Sequence, residues 1–176
     1  MSSGATTELG RPTLVIGLGN PILGDDGVGW RIVEAFGDRL AADATARATA
    51  GDVELDCVAV GGLSLMERLV GYDRIVLVYA ILGHYRPGAL SVGALAETAC
   101  RLAGHLDSAH DVPLTEALAA GRALGAHLPD EITVVGVDVR RVDVFDERLS
   151  APVAASVDAA VDAILAAVSW RPATVA

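Results

Sequence analysis

Basic residues are scarce in this chain: 13 Lys and Arg stand against 23 Asp and Glu, a formal net charge of −10. With an isoelectric point near 4.6, the protein would repel a phosphate backbone, where nucleic-acid binders present a basic face. Aromatic residues are only 4% of the total, too few for a platform on which bases stack. The two cysteines, Cys57 and Cys100, are in no CxxC spacing. Neither a disulfide framework nor a thiolate zinc site is implied, and both read as small buried hydrophobes. No uninterrupted apolar run reaches the roughly 20 residues of a membrane span. The first ten residues have neither the basic start nor the apolar core of a signal peptide. No repeat with a period of about 20–50 residues is visible. A cytoplasmic protein with no nucleic-acid or membrane partner is expected.

What the chain does have is apolar bulk. Hydrophobic residues make up 52% of its 176 positions and the mean hydropathy is +0.46, ample for a core and too apolar for disorder. At about 150 residues per domain, one compact domain is predicted. Residues 1–12 read as a flexible arm, 13–168 as a single catalytic-type α/β domain and 169–176 as a tail. Thr13–Leu18 is a near-continuous apolar run, the pattern of a strand buried on both faces of a parallel sheet. From Gly27 to Leu40 the apolar residues Val28, Ile32, Val33 and Phe36 recur at helical spacing. A strand over Val53–Val60 and a short helix opened by Ser64 as N-cap, with Glu67 three residues on, form a second β-α pair. Arg74–Ile81, rich in β-branched residues, reads as a central strand. Ala89–Val92 reads as a short edge strand, Leu114–Leu124 as a helix, Glu131–Val137 as another buried strand and Pro152–Val168 as a closing amphipathic helix. This alternation predicts a three-layer α/β sandwich, a mostly parallel central sheet flanked by helices on both faces, with ligands expected beyond the carboxyl ends of the strands.

The first of those ends is Gly17-Leu18-Gly19-Asn20-Pro21-Ile22-Leu23-Gly24-Asp25-Asp26-Gly27-Val28-Gly29. It is not a nucleotide loop. A dinucleotide fingerprint from Gly17 would need glycine where Ile22 stands, and a Walker loop from Gly19 would continue with Lys-Ser/Thr where Asp25-Asp26 stand. Two carboxylates repel phosphate and attract a cation. One aspartate could serve the ordinary task of capping a helix start. A second adds only repulsion, so Asp26 is a candidate cation ligand. Asn20 reads either as a turn residue or as a substrate contact. Among the histidines, His110 lies just before a helix start, where it could face the same cleft as Asp26. His84 is a weaker candidate, and His105 and His127 read as surface positions.

In composition and spacing, Gly17-Leu18-Gly19-Asn20 through Gly24-Asp25-Asp26-Gly27-Val28-Gly29, followed by Arg31-Ile32-Val33-Glu34-Ala35, resembles the N-terminal signature of the maturation endopeptidases of nickel-iron hydrogenases. Ser108-Ala109-His110 and Val134-Val135-Gly136-Val137 add to the likeness, which runs from about Thr13 to Val168. The resemblance implies an endopeptidase that removes the C-terminal extension of a nickel-iron hydrogenase large-subunit precursor after nickel insertion. It also implies a metal trio: an acid at Asp26, an aspartate at the end of the third strand and a histidine at His110. Asp26 and His110 would then be both metal ligands and catalytic residues. The metal would be nickel carried by the substrate, with zinc or cadmium as surrogate ions. Carboxylate and imidazole suit such ions, and a cation with an open position can polarise a carbonyl or acidify a water, so no serine or cysteine nucleophile is required.

Two positions depart from the family pattern. The third-ligand position, usually aspartate, is Tyr79. A phenol is neutral at pH 7, with a pKa of about 10, and ligates a divalent ion poorly, so impaired cleavage is expected. Its ordinary reading is a strand-end core residue whose hydroxyl reaches solvent. After the second strand, Val60-Gly61-Gly62-Leu63 stands where the family often has an Asp-Gly-Gly-Thr-like turn linked to substrate selection. Gly61 and Gly62 keep a tight turn needing φ > 0 and are, with Asn20, candidate substrate-recognition residues. The precursor is the expected partner and a monomer the expected state. A non-catalytic module that holds the nickel-loaded precursor without cutting it is the alternative.

Overall fold

The computed structural model describes residues 12–82, 86–97 and 112–170. Five strands form one sheet: β1 (Thr13–Leu18), β2 (Val53–Val58), β3 (Arg74–Leu82), β4 (Leu90–Ala94) and β5 (Glu131–Val139). Their order is β2-β1-β3-β5-β4, parallel throughout except for β4, which runs antiparallel to β5 at the edge. The helices are α1 (Val28–Ala42), α2 (Ala44–Ala50), α3 (Gly62–Leu69), α4 (Leu114–Ala123), α5 (Ala151–Ala154) and α6 (Val157–Ser169). The predicted α/β class holds, with a mostly parallel sheet and helices on both faces.

The central strands read as unbroken apolar runs because both of their faces are covered. Every residue of β1 is buried, the expected condition of a parallel strand inside such a sandwich. On one face, Val15, Val76, Val78 and Val135 pack with Phe36 and Ile32 of α1 and Ile164 of α6. On the other, Leu14, Ile16, Leu77 and Val134 pack with Leu65 of α3 and Leu118 of α4. The segment Ala151–Ser169 is apolar enough, by length and composition, to cross a membrane. Its buried residues Val153, Ala160, Val161, Ile164 and Val168 belong instead to the first of these cores. Arg74 closes the end of α6, donating from its guanidinium to the carbonyls of Ala167 at 2.8 Å and Val168 at 3.4 Å; these are among the last carbonyls of a helix, which lack intrahelical donors.

Several expectations about local structure need correction. Ser64 does not cap α3; Gly61 does, with no side-chain hydrogen bond, and Ser64 lies within the helix. The reason is Gly62, whose φ of 53° turns the chain into the helix three residues earlier than a serine cap would. Gly61 itself is extended, with φ −126°, so only one of the two glycines needs positive φ. The closing helix is two pieces, parted at Ala155 and Ser156. Helix α2, not foreseen, is opened by Asp43, whose Oδ1 accepts from the amides of Thr45 at 2.8 Å and Ala46 at 3.2 Å. Cys57 is not fully buried: it lies half-covered on β2, at the edge of the sheet.

Candidate functional site

The Gly-rich segment after β1 places its carboxylates through backbone contact. A Cβ at Gly17 would stand 2.5 Å from the carbonyl oxygen of Gly29, and one at Gly29 would overlap the carbonyls of Leu18 and Val78. The start of α1 therefore lies directly on the ends of β1 and β3, an approach open only to residues without a side chain. Between strand and helix, Gly24–Gly27 forms a single 3-10 turn carrying Asp25 and Asp26, and this turn packs against β3.

Neither aspartate is a helix cap. Both the 3-10 turn and α1 start without a side-chain cap bond. Asp25 instead reaches across the chain to Ser150, accepting from its amide at 2.7 Å and from its hydroxyl at 2.8 Å. The same junction is stitched by the amide of Gly24 donating to the carbonyl of Asp146 at 2.6 Å and that of Asp146 donating to Ile22 at 3.2 Å. Asp26 turns to its own loop, where Oδ2 accepts from the amide of Asn20 at 2.6 Å. Its Oδ1 takes no hydrogen bond among the described residues. The two neighbouring acids are thus tied to different segments and do not form a proton-sharing pair of the kind two catalytic carboxylates make. Asn20 adopts the turn role: its side-chain oxygen accepts from the amide of Ile22 at 3.2 Å, an Asx turn.

Tyr79 lies inside the sheet. It pairs with Gly136 of β5, one position after Val78, which pairs with Gly17 of β1. It stands three residues before the end of β3 and is only 3% exposed, in the core cluster that includes Leu18, Val58, Leu65, Leu114 and Leu118. The expectation that its hydroxyl reaches solvent is wrong, because that oxygen is itself buried. The row of Leu18, Tyr79 and Gly136 thus ends on the same side of the molecule as the turn bearing Asp26. His110, His84, His105 and Cys100 lie outside the described residues. Among the described residues, no group of three His, Cys, Asp or Glu side chains could hold a metal ion.

Three other groups complete the neighbourhood. The carbonyl of Val58, at the end of β2, accepts from the amide of Gly19 at 3.2 Å and from the indole of Trp30 at 3.2 Å, tying the Gly61–Gly62 turn to the Asp26 loop. The thiol of Cys57 is pushed up to about 11, first by burial and then by the charges of Glu34 and Asp56; protonated at neutral pH, it is no nucleophile. Asp138, near the end of β5, is 4% exposed. It was missed because aspartate is depleted in strands, so the apolar run was ended at Val137. His127, exposed as expected, meets Asp73 at 2.6 Å far along the chain from the turn.

The fold is shared with solved proteases. The hydrogenase-maturating endopeptidase HybD of Escherichia coli superposes with a TM-score of 0.70 at 26% identity, covering 89% of this chain and 91% of that one. The hydrogenase 2 maturation peptidase of a Thaumarchaeota archaeon superposes with a TM-score of 0.60 at 28% identity, covering 92% and 100%. The hydrogenase expression/formation protein HupD of Rhizobium leguminosarum bv. viciae is 29% identical over 164 residues, 93% of this chain and 77% of that protein. The HycI family profile, hydrogenase maturation protease, matches residues 57–167, a stretch that runs from β2 to α6 and includes Tyr79. The molecule is an α/β protease of the maturation type. It belongs to the hydrogenase maturation protease family.

Proposed function

We propose that this protein removes the C-terminal extension of a nickel-iron hydrogenase large-subunit precursor after nickel has been inserted, with Asp26 and His110 meeting the nickel that the precursor brings. The observation that carries the reading is the state of Asp26: one carboxylate oxygen is anchored on the amide of Asn20 at 2.6 Å, and the other takes no hydrogen bond among the described residues, in a turn that follows β1 and packs against β3, near the strand ends where ligands of such sheets bind. A hard oxygen donor held this way suits a divalent ion. The nickel, when bound, supplies Lewis acidity toward the scissile carbonyl or toward a water. The chain's own part is to hold Asp26 in place through Gly19, Asn20 and the Gly17–Gly29 contact, and to frame the precursor segment with the Gly61–Gly62 turn.

Tyr79 tempers this activity. Its phenol is enclosed among aliphatic side chains, so it does not fit the role of third ligand, and cleavage is impaired relative to a protein with an acid there. This supports a second reading, in which the protein recognises and holds the nickel-loaded precursor without cutting it. Protein and a Tyr79→Asp variant, each incubated with nickel-loaded precursor and read by intact mass spectrometry, separate the two. A shortened precursor in either sample supports the protease; retention of full-length precursor in a stable complex with both supports the holding role. If the precursor is neither cut nor bound, the assignment to this substrate fails.

A further inference from the structure

Strand β2 stands at one edge of the sheet, and no further strand lies beyond it among the described residues. The amides of Thr13 and Gly19 donate to the carbonyls of Asp52 at 3.0 Å and Val58 at 3.2 Å, and the β1–β2 register is continuous between them. In a parallel pair a residue turns both of its backbone groups to the same side, and successive residues alternate sides. Glu54 and Asp56 therefore serve β1, while Leu55 and Cys57 turn theirs outward. Such an edge is a template for another strand unless it is covered or blunted; β2 has no proline, and Leu55 is 39% exposed. Beside this edge runs α1, and between them lies a groove floored by Leu55 and Cys57, with Glu34, Asp38 and Asp56 in its lining and no basic residue. Glu34 is paired with Arg31 and Asp56 with Arg68, while Asp38 is exposed and has no ion pair among the described residues. Burial first, then the charges of Glu34 and Asp56, raise the Cys57 thiol, so the floor lies in a negative field. Gly37 keeps the groove open. A glycine inside a helix weakens it, and a Cβ here would meet nothing within 4 Å but the Cδ1 of Leu55, at 3.1 Å, the movable end of a side chain. Nothing in the core requires this glycine.

We propose that an extended basic segment of the hydrogenase precursor adds to β2 as a further strand and lies in this groove; this rests on the function proposed above. The six residues of β2 offer an edge about 20 Å long. Alternate side chains of an added strand face α1. There the stem of a lysine or arginine lies along Leu55 while its charged head reaches the acids, the way long basic side chains cover apolar surface. The groove leads to the site, because Val58, the last residue of β2, holds Gly19 and the Trp30 indole on its carbonyl. A segment bound along β2 is thus led toward the Gly61–Gly62 turn and the Asp26 loop. A second copy of this chain is a poorer occupant: it brings the same acids on the same edge and a net charge of −10, and like charges across an interface oppose pairing.

Gly37→Leu puts a side chain into the groove and removes a glycine from a helix, which favours the fold. Binding of nickel-loaded precursor, measured by biolayer interferometry, should weaken at least about tenfold in this variant, with a melting temperature equal to or above that of the native chain. Asp38→Lys should weaken binding less and reduce its dependence on salt. Hydrogen–deuterium exchange of the peptide covering β2 should slow when the precursor is added to the native chain, and slow less in Gly37→Leu at the same concentration. Equal affinity in Gly37→Leu, or no protection of β2 by the precursor, overturns the proposal and leaves the protease standing. A native chain that binds no precursor overturns the proposed function and this proposal with it. If Gly37→Leu melts lower than the native chain, Asp38→Lys decides: unchanged affinity and unchanged salt dependence overturn the proposal. A native dimer that Gly37→Leu turns into a monomer gives the groove to a second copy and overturns it as well.

Discussion

The two faces of the sheet are built to different rules. Under α1 and α6 the strands offer Val15, Val76, Val78, Ala80, Val135 and Val137, a set of short aliphatic side chains, with the polar Thr13 and Arg74 of that face confined to the first residues of β1 and β3. Under α3 and α4 the same strands carry Tyr79 and Asp138 among larger leucines and isoleucines, and both polar residues lie toward the carboxyl end. One face is scaffold, and its composition follows from packing alone. The other gives up part of that economy near the end where the Asp26 turn sits. Polar residues in a core that does not need them are where function is first sought.

Substitutions on the two faces should therefore separate stability from activity. The largest loss is expected on the scaffold face: Phe36 is fully buried, and Phe36→Ala should cost about 3–5 kcal/mol in chemical denaturation, with unfolding at ordinary temperatures. Gly29→Ala should follow, at about 1–3 kcal/mol, since the added methyl overlaps the carbonyls of Leu18 and Val78; a variant as stable as the native chain would show that the helix–strand contact is looser than described. On the other face, Tyr79→Phe should change stability by no more than about 1.5 kcal/mol, far less than Phe36→Ala, and leave precursor processing as it was. Should processing stop, the hydroxyl takes part in the chemistry and the contrast between the faces is sharper still. Ser150→Ala, which removes the hydroxyl bond to Asp25, should cost about 1 kcal/mol and lower the rate of any cleavage through the loosened turn.

The smallest effect concerns pH. The thiol of Cys57 is raised to about 11, so the fold favours its protonated form. That preference is intact below the ordinary thiol range and is lost as pH climbs through about 11, where the unfolded chain ionises first. Alkylation of Cys57, followed by peptide mass spectrometry, should be slow at neutral pH and accelerate only toward that value; rapid labelling at pH 7 would place the thiol in a different environment.

Much of this was legible in the sequence for one reason: a strand covered on both faces is an apolar run, and β1, β3 and β5 are such runs. Thr13–Leu18 was located to the residue. Helix α1 was equally plain from the spacing of Val28, Ile32, Val33 and Phe36. Helix α2 was not, because Ala-Thr-Ala-Arg-Ala-Thr-Ala has no apolar period and its start rests on the Asp43 side chain alone. At the site, the sequence marked Asp26 through the oddity of paired acids. It could not reveal that Asp25 is spent on Ser150, 125 positions away in the chain. Nor could it show that Tyr79 lies sealed in the core, since strand alternation alone does not say what covers a face.

The contact between Gly17 and Gly29 has a consequence for how this protein could change. Because the Asp26 turn is set by main chain resting on main chain, its position does not depend on any rotamer of the core. Residues on the outer surface of α1 and throughout the aliphatic layer beneath it can be exchanged, by drift or by design, without moving the acid. What cannot be exchanged is the absence of side chains at Gly17 and Gly29, and at Gly19, where an added Cβ would overlap the carbonyl oxygen of Asp26, so variation should be wide around the turn and nearly nil within it.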